Sequence, residues 1–340
     1  MSTVAGAFDE TLLMNVIVRA DQMLFDDRIK QQYIPMYDAL KALMSIQNAR
    51  VMTPLSFKKD YDVEIEWMNA CEVDVEDNTS CELGGTEAST NVEQYAITYE
   101  KVSNFSVDET KFADNRFDKE EAIAKLFLAA DKKLVENFTE YTLTKLNTFL
   151  GQNEMGTEGK GVVDGTTTWI KPVYWSADLM AYFHRAARKN SFSNPILLSG
   201  SNLYEQVWLA AAKVGNAEGK GDFALFGSIP MAFDLDNIDS VNDDQTTYMI
   251  QTGALAFANK AVNPDVPEIV PGVFTRYTMS SKFMPNFKYD VFYKPECTTG
   301  DMVIHHFKVK LKADVFANPV GCTATNTGFL AFACGEPSLN

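Results

Sequence analysis

Residues 118–151 read DKEEAIAKLFLAADKKLVENFTEYTLTKLNTFLG. Ile123, Leu126, Phe127, Ala130, Leu134, Phe138, Tyr141 and Phe149 recur at three- and four-residue spacing with no proline among them, which predicts one uninterrupted amphipathic helix over 118–150. Asp118 with Glu121 three residues on resembles a capping box, and Gly151 stands where a helix wants its C-terminal cap. At 1.5 Å per residue such a helix runs roughly 50 Å. That length far exceeds the average globular helix, so the helix is expected to lie along something extended.

On its N-terminal side, residues 61–100 change character. Apolar and acidic residues alternate through Tyr61, Val63, Ile65 and Trp67, continue at Val73 and Val75, and resume at Tyr95, Ile97 and Tyr99, the period-two signature of half-exposed strands. Residues 76–91, with Gly84-Gly85 at their centre, read as a turn or mobile tip, so the whole is a long hairpin. It holds eleven carboxylates (Asp62, Glu64, Glu66, Glu72, Asp74, Glu76, Asp77, Glu82, Glu87, Glu93, Glu100) and no Lys or Arg. Like charges this dense favour solvent or a basic partner surface. Further upstream, Leu12, Leu13, Val16, Ile17, Met23, Leu24 and Ile29 predict a helical arm over about 8–32, and Leu40, Leu43 and Met44 a short helix over 36–47.

On the C-terminal side, a glycine-rich loop or hairpin over 151–168 leads into a mixed pattern: a helix over 176–189, a buried strand over 195–198, a helix over 201–213, and strand-like runs over 226–235 and 248–258. From Pro264 onward strand patterns dominate, at 273–277, 289–293, 303–311 and 329–333, and are expected to add antiparallel strands to the domain that holds the long helix. The repeated Glu-Gly-Lys-Gly at 158–161 and 218–221 lies in different surroundings and reads as two similar loops.

The charge excludes whole classes of function. With 46 acidic and 30 basic residues among 340, the formal charge is −16, and a chain of that sign repels nucleic-acid phosphates. Its 46% hydrophobic residues are enough for a large core or two smaller ones. Five cysteines with no C-x-x-C pair fit neither a disulfide scaffold nor a zinc ribbon. Residues 1–10 lack the basic and apolar regions of a signal peptide, and no run reaches the roughly 18 apolar residues of a membrane span, so a soluble protein made in a reducing cytoplasm is expected, without membrane partner. The Asn-x-Ser/Thr triplets at Asn78, Asn104 and Asn137 then carry little weight.

Candidate chemistry fails motif by motif. Only His184, His305 and His306 are available for proton transfer near neutral pH; His184 reads as a packing residue, and the adjacent pair points to opposite faces of a strand and cannot share a metal. Ser199 lies between a strand and a helix, but a nucleophile elbow needs glycine where Leu197 and Ser201 stand. Lys160 and Lys220 lack the leading glycine of a phosphate loop and are followed by Gly161 and Gly221 instead of Ser or Thr. Gly219, Gly221 and Ala224 have dinucleotide-fingerprint spacing in the reverse structural context. Asp234, Asp236, Asn237 and Asp239, followed by Asp243 and Asp244, have Ile238 and Asp239 where a calcium loop needs an oxygen ligand and a glycine. No catalytic residue, cofactor or metal site is expected; an acidic α/β hydrolase using a carboxylate pair is the rival reading, resting on carboxylate abundance alone.

A helical arm, an acidic two-stranded excursion over 60–107, a long capped helix over 118–150, an α/β stretch containing Pro195-Ile-Leu-Leu-Ser-Gly-Ser-Asn-Leu-Tyr204, and a strand-rich return follow one another. This order resembles the major capsid proteins of tailed phages with the Hong Kong 97-type fold. Tyr248-Met-Ile-Gln-Thr-Gly-Ala-Leu-Ala-Phe257 is similar to the family's late axial strand, and Gly321-Cys-Thr-Ala-Thr-Asn-Thr-Gly328 to a loop near its end. The resemblance is one of architecture and order over nearly the whole chain, with no diagnostic motif. Encapsulins, shell subunits of cellular nanocompartments, share the fold and the order.

The resemblance implies an α+β fold divided into an N-terminal arm (1–56), an extended loop (57–110), a peripheral domain with its spine helix (111–170), an axial domain (171–261) and a strand-rich return to the peripheral domain (262–340). It implies a non-enzymatic subunit that self-assembles in the host cytoplasm into hexamers and pentamers of an icosahedral phage head. That head encloses double-stranded DNA without specific binding, and separate scaffolding, portal and decoration proteins are its further partners. Because an isolated hairpin cannot bury both faces, Val63, Ile65, Trp67, Tyr95, Ile97 and Tyr99 are expected to be covered in part by a neighbouring subunit. Some family members crosslink a loop lysine to another subunit; with Lys58, Lys59 and Lys101 only at its base, this loop is expected not to crosslink. The arm begins almost at Met1, so no N-terminal scaffolding segment is expected to be removed.

Overall fold

The computed structural model describes residues 10–26, 32, 34–52, 62–68, 90–111, 119–155, 161–175, 179–213, 229–242, 246–270, 273–284, 286–297, 303–319 and 327–335. The fold is α+β. In chain order it runs α1 (Glu10–Phe25), α2 (Asp38–Ser45), β1 (Arg50–Met52), β2 (Val63–Met68), β3 (Thr90–Tyr95), β4 (Tyr99–Asp108) and α3 (Lys119–Phe149). Next come β5 (Gly161–Asp164), β6 (Thr167–Ile170), α4 (Leu179–Lys189), β7 (Pro195–Ser199), α5 (Ser201–Lys213), β8 (Met231–Phe233) and α6 (Asn237–Asn242). Strands β9 (Thr246–Gln251), β10 (Leu255–Asn259), β11 (Glu268–Val270), β12 (Phe274–Ser280), β13 (Lys288–Cys297), β14 (Val303–Ala317) and β15 (Phe329–Cys334) complete it.

The long helix forms as its spacing predicts: α3 is a single helix of 31 residues, about 46 Å at 1.5 Å per residue. Its expected cap, Asp118, lies outside the described residues. The chain divides into two compact units, the first of Met1–Pro35, Ile97–Phe138 and Asn259–Asp314, the second of Met36–Ala96, Thr139–Ala258 and Val315–Asn340.

In the first unit the strands run β4-β14-β13-β12-β11, all antiparallel. The inner face of this sheet carries Phe105, Phe307 and Tyr293, and α3 supplies Phe127; ring centroids lie 5.0 Å apart for Phe105 and Phe127 and 5.1 Å for Phe127 and Phe307. Ile123, Leu128, Leu134, Val135 and Phe138 of α3 are buried with them, each gaining the roughly 1.5–3 kcal/mol of a fully buried apolar side chain. The arm helix α1 buries Val16, Ala20 and Met23, one stripe at helical spacing, and is tied down by an Asp21–Lys282 ion pair of 2.7 Å.

The second unit holds a mixed sheet ordered β5-β6-β15-β9-β7-β8 and a small antiparallel sheet β1-β2-β3. Helix α4 lays Leu179, Tyr182, Phe183, Ala186 and Ala187 against Phe332 and Met249 of the mixed sheet. The expected run over 248–258 is two strands, β9 and β10, because Gly253 takes a left-handed φ of +83° and turns the chain. The last strand also departs from expectation. It lies in the mixed sheet, parallel to β6 and antiparallel to β9, and not beside β12–β14. Five of its six residues are buried, and such a strand needs cover on both faces, which a central place provides.

The compact units therefore cut across the expected domain stretches. Strand β4, placed within the extended loop, pairs with β14 over ten residue pairs. The hairpin β5–β6, placed with the spine helix, belongs to the mixed sheet. Longer ladders and fuller burial decide both placements, and neither is visible in local periodicity.

Candidate assembly surface

The acidic hairpin is built as alternation dictates. β2 and β3 pair antiparallel in the register Val63↔Tyr95, Ile65↔Glu93 and Trp67↔Asn91, and β1 adds Arg50↔Glu66 on the other side. One face of β2 carries Val63, Ile65 and Trp67; the other carries Glu64 and Glu66 with Val92 and Gln94 of β3. On that second face the Gln94 side-chain amide donates to Glu64 at 3.2 Å, Arg50 stands 3.9 Å from Glu66, and Val92 is 51% exposed. On the first face Tyr95 donates to Glu93 at 2.6 Å and packs 4.5 Å from the Phe316 ring. Burial, with the neighbouring Glu93 carboxylate second, pushes the Tyr95 phenol up to about 12.

The six apolar residues expected to wait for a neighbour are placed differently by the structure. Val63, Ile65 and Trp67 of the second unit and Ile97 and Tyr99 of the first are buried within the single chain; Tyr95 is half-buried. Among the described residues, the face of β2 and β3 left partly open to solvent is the one with Glu64, Glu66, Val92 and Gln94. The residues that periodicity missed are exposed: Met14, Val18 and Phe25, at 61%, 49% and 87%, form a second stripe on α1. Their i, i+4, i+11 spacing was the available signal.

The other residues singled out by chemistry have structural partners. Asp234 is buried and accepts from the Ala39 amide at 2.8 Å and the Asn237 amide at 3.0 Å, so it serves the starts of α2 and α6. Asp239 accepts from the Ser201 amide at 3.0 Å at the start of α5, so close to Gly200 that a Cβ there would lie 1.8 Å from its Oδ1. The Ser199 hydroxyl is buried against Thr247 at 2.7 Å. Lys160, Lys220, Gly219, Gly221, Ala224, Asp243, Asp244, Val73 and Val75 lie outside the described residues. Among the described residues no three His, Cys, Asp or Glu side chains converge to hold a metal ion, and no helix is long and apolar enough to cross a membrane.

His305 and His306 do point to opposite faces. His306 is on the outer face, 3.1 Å from Glu296, whereas His305 is buried between the Tyr293 hydroxyl at 2.9 Å and Glu109 at 3.0 Å. Lys119, at the start of α3, donates to the same Glu109 oxygen at 2.7 Å. Burial pushes the Glu109 carboxyl up, but bonds from Lys119 and His305, the Lys119 charge and the Val303 amide outweigh it and hold it at about 2. A second buried carboxylate, Asp131 of α3, receives Tyr289 at 2.5 Å, the Lys282 amide at 2.7 Å and Ser281 at 2.8 Å; burial still pushes it upward. Both clusters fasten the first-unit part of α3 to the strands and loops of that unit.

No family model and no curated protein matches the sequence. Among solved structures, the chain is similar to one titled "Mycobacterium phage Che8", with 13% identity and a TM-score of 0.42 over 88% of each chain. It is similar to "Capsid structure of the Cyanophage P-SCSP1u", with 10% identity and a TM-score of 0.44 over 85% of this chain and 86% of that one. A third, "Cyanophage Pam1 capsid asymmetric unit", shows 8% identity and a TM-score of 0.43 over 84% and 87%.

Proposed function

We propose that this chain is a structural, shell-forming subunit: the major capsid protein of a tailed phage head, assembling as hexamers and pentamers around double-stranded DNA in the virion. The observation that carries the reading is the order of elements. An arm helix, an acidic antiparallel hairpin, one 31-residue helix and a mixed sheet follow one another as the resemblance requires. Side chains that an enzyme would need are engaged structurally: Ser199 with Thr247, His305 with Tyr293 and Glu109, Asp234 and Asp239 with helix-start amides. A net charge of −16 lets packaged DNA be enclosed without being gripped. The arm and the hairpin meet neighbouring subunits; scaffolding, portal and decoration functions fall to separate chains.

Electron microscopy of the purified protein tests this. Closed shells or six- and five-fold capsomers are expected, and monodisperse monomers at every concentration and salt would overturn it. Deleting residues 71–91 should abolish assembly while leaving the two units folded; unchanged particles would remove the hairpin from the interface. Denaturing electrophoresis of particles should show a single monomer band, since residues 61–100 hold no lysine.

A further inference from the structure

Residues 179–204 hold no Asp or Glu, a stretch of 26 in a chain that has 46 among 340. Helix α4 opens this stretch. Its residues Leu179, Tyr182, Phe183, Ala186 and Ala187 pack on the mixed sheet, which leaves His184, Arg185, Arg188 and Lys189 on the other side. Arg185, Arg188 and Lys189 are exposed and His184 is half-buried. Two of the chain's seven arginines thus stand three residues apart on one helix face, with a lysine beside them. Among the described residues, neither Arg188 nor Lys189 meets a carboxylate within ion-pair distance.

A helix favours cations in its last turn, where they offset the carbonyl end of its dipole, and Arg188 and Lys189 serve that end. Arg185, a turn earlier, exceeds what the dipole asks for, and Ser191 is a second departure. The helix closes with the Phe192 amide donating to the Ala187 carbonyl at 2.8 Å and the Ser191 amide to the Arg188 carbonyl at 3.2 Å, while Ser191 takes a φ of +60°. That position favours glycine, which has no Cβ to strain. Here a hydroxyl-bearing residue holds it, exposed next to the cations, and exposed Ser193 and Asn194 follow. Guanidinium forks, an ammonium and neutral polar groups, without a carboxylate among them, are the chemistry that meets phosphate oxygens along a nucleic-acid backbone.

We propose that the outer face of α4, with the turn at Ser191, touches the phosphate backbone of the packaged double-stranded DNA without reading its sequence. The inference rests on the shell reading and adds to it which surface of the subunit meets the DNA: this face of α4 is turned to the interior of the shell. The net charge of −16 does not oppose it. At about 0.15 M salt a charge is screened beyond about 8 Å, so a phosphate senses the groups beside it and not the total. Three cations per subunit make a weak contact that salt releases, which holds DNA in place without gripping it.

Fluorescence anisotropy of a labelled duplex of about 20 base pairs, with the purified unassembled protein, tests this. Three phosphate contacts predict a log–log salt slope of about −2.7, so affinity should fall about twentyfold between about 50 and about 150 mM salt. Arg185→Gln with Arg188→Gln leaves one cation; it should bind at least about tenfold more weakly at the lower salt and lose only about threefold across that range. Both positions are exposed, so its circular dichroism should match that of wild type. Lys294→Gln with Lys308→Gln, exposed lysines of β13 and β14 in the first unit, should bind as wild type does. Closed wild-type shells should not bind duplex added from outside. No binding by the wild-type protein at the lower salt, binding that the arginine variant retains, or binding that the lysine variant loses instead overturns the proposal. Equal binding by shells and unassembled protein overturns the inward placement. Polyglutamate bound as tightly as the duplex also overturns it, assigning α4 to an acidic protein segment. With wild-type shells seen by microscopy, each of these results leaves the shell reading standing. Wild-type protein that forms no particles overturns the shell reading, and with it packaged DNA as the source of the phosphates.

Discussion

Replacing Asp131 by Ala should cost about 3–5 kcal/mol of stability, more than any surface change in this chain. The carboxylate sits on α3 at 2% exposure and gathers the Tyr289 hydroxyl, the Lys282 amide and the Ser281 hydroxyl within 2.5 to 2.8 Å. Hydrogen bonds to a charged acceptor contribute about 1.5–3 kcal/mol each, or roughly 4.5–9 together. Holding the ion out of water takes back several kcal/mol, and that cost is what pushes its pKa upward. The net loss on truncation is dominated by three buried donors left without an acceptor. Tyr289→Phe removes a single donor to the charged carboxylate and should cost about 1.5–3 kcal/mol. The sign with pH follows from the raised pKa: the folded chain holds a proton that the unfolded chain releases just above the ordinary carboxylate range. Stability therefore rises as pH falls into that window, and Asp131→Ala should lose this increment. Urea unfolding followed by circular dichroism at several pH values measures both effects. A loss below about 1 kcal/mol for Asp131→Ala, or an unchanged pH profile, would refute the account of this cluster.

Glu109 carries the opposite sign. Held at about 2, its contribution is full above the unfolded carboxylate range and is lost as pH falls toward 2, so Glu109→Gln should flatten the acid limb of the unfolding profile and cost about 1–2 kcal/mol near neutrality after solvent screening. Gly200→Ala should destabilise by about 2 kcal/mol or more in a thermal melt, since its Cβ would meet Asp239 at 1.8 Å, and Asp239→Ala should relieve part of that loss in the double variant. Trp67→Ala should cost about 3–5 kcal/mol in the unassembled subunit, because Trp67 is 1% exposed within the single chain; a loss seen only in particles would mean that a neighbour does the covering.

Long local patterns were legible in the sequence. The three-four spacing of Ile123, Phe127, Leu134 and Phe138 defines α3 without reference to anything distant, and the alternation of Val63, Ile65 and Trp67 defines β2. What covers an apolar face is a non-local fact, and nothing in the alternation of Val63, Ile65 and Trp67 shows that the single chain already buries them. Strand order was equally hidden, since nothing in Phe329–Cys334 itself shows that β6 and β9 flank it. The acidic loop around Asp234 and Asp239 reads as solvated in sequence because their partners are backbone amides, which every residue type but proline carries alike.

The bond from the Ala39 amide to Asp234 spans 195 positions. Helix α2 has no side-chain cap of its own at Tyr37, so its first turn is finished by a residue made long after it. At ribosomal rates of 5–20 residues per second, Asp234 follows Ala39 by about 10–40 s. During that interval the short helix, eight residues long, is too brief to persist alone in water. Helix α2 is thus completed only after a further 195 residues have been made, which leaves that segment open to chaperones while the chain is still being made.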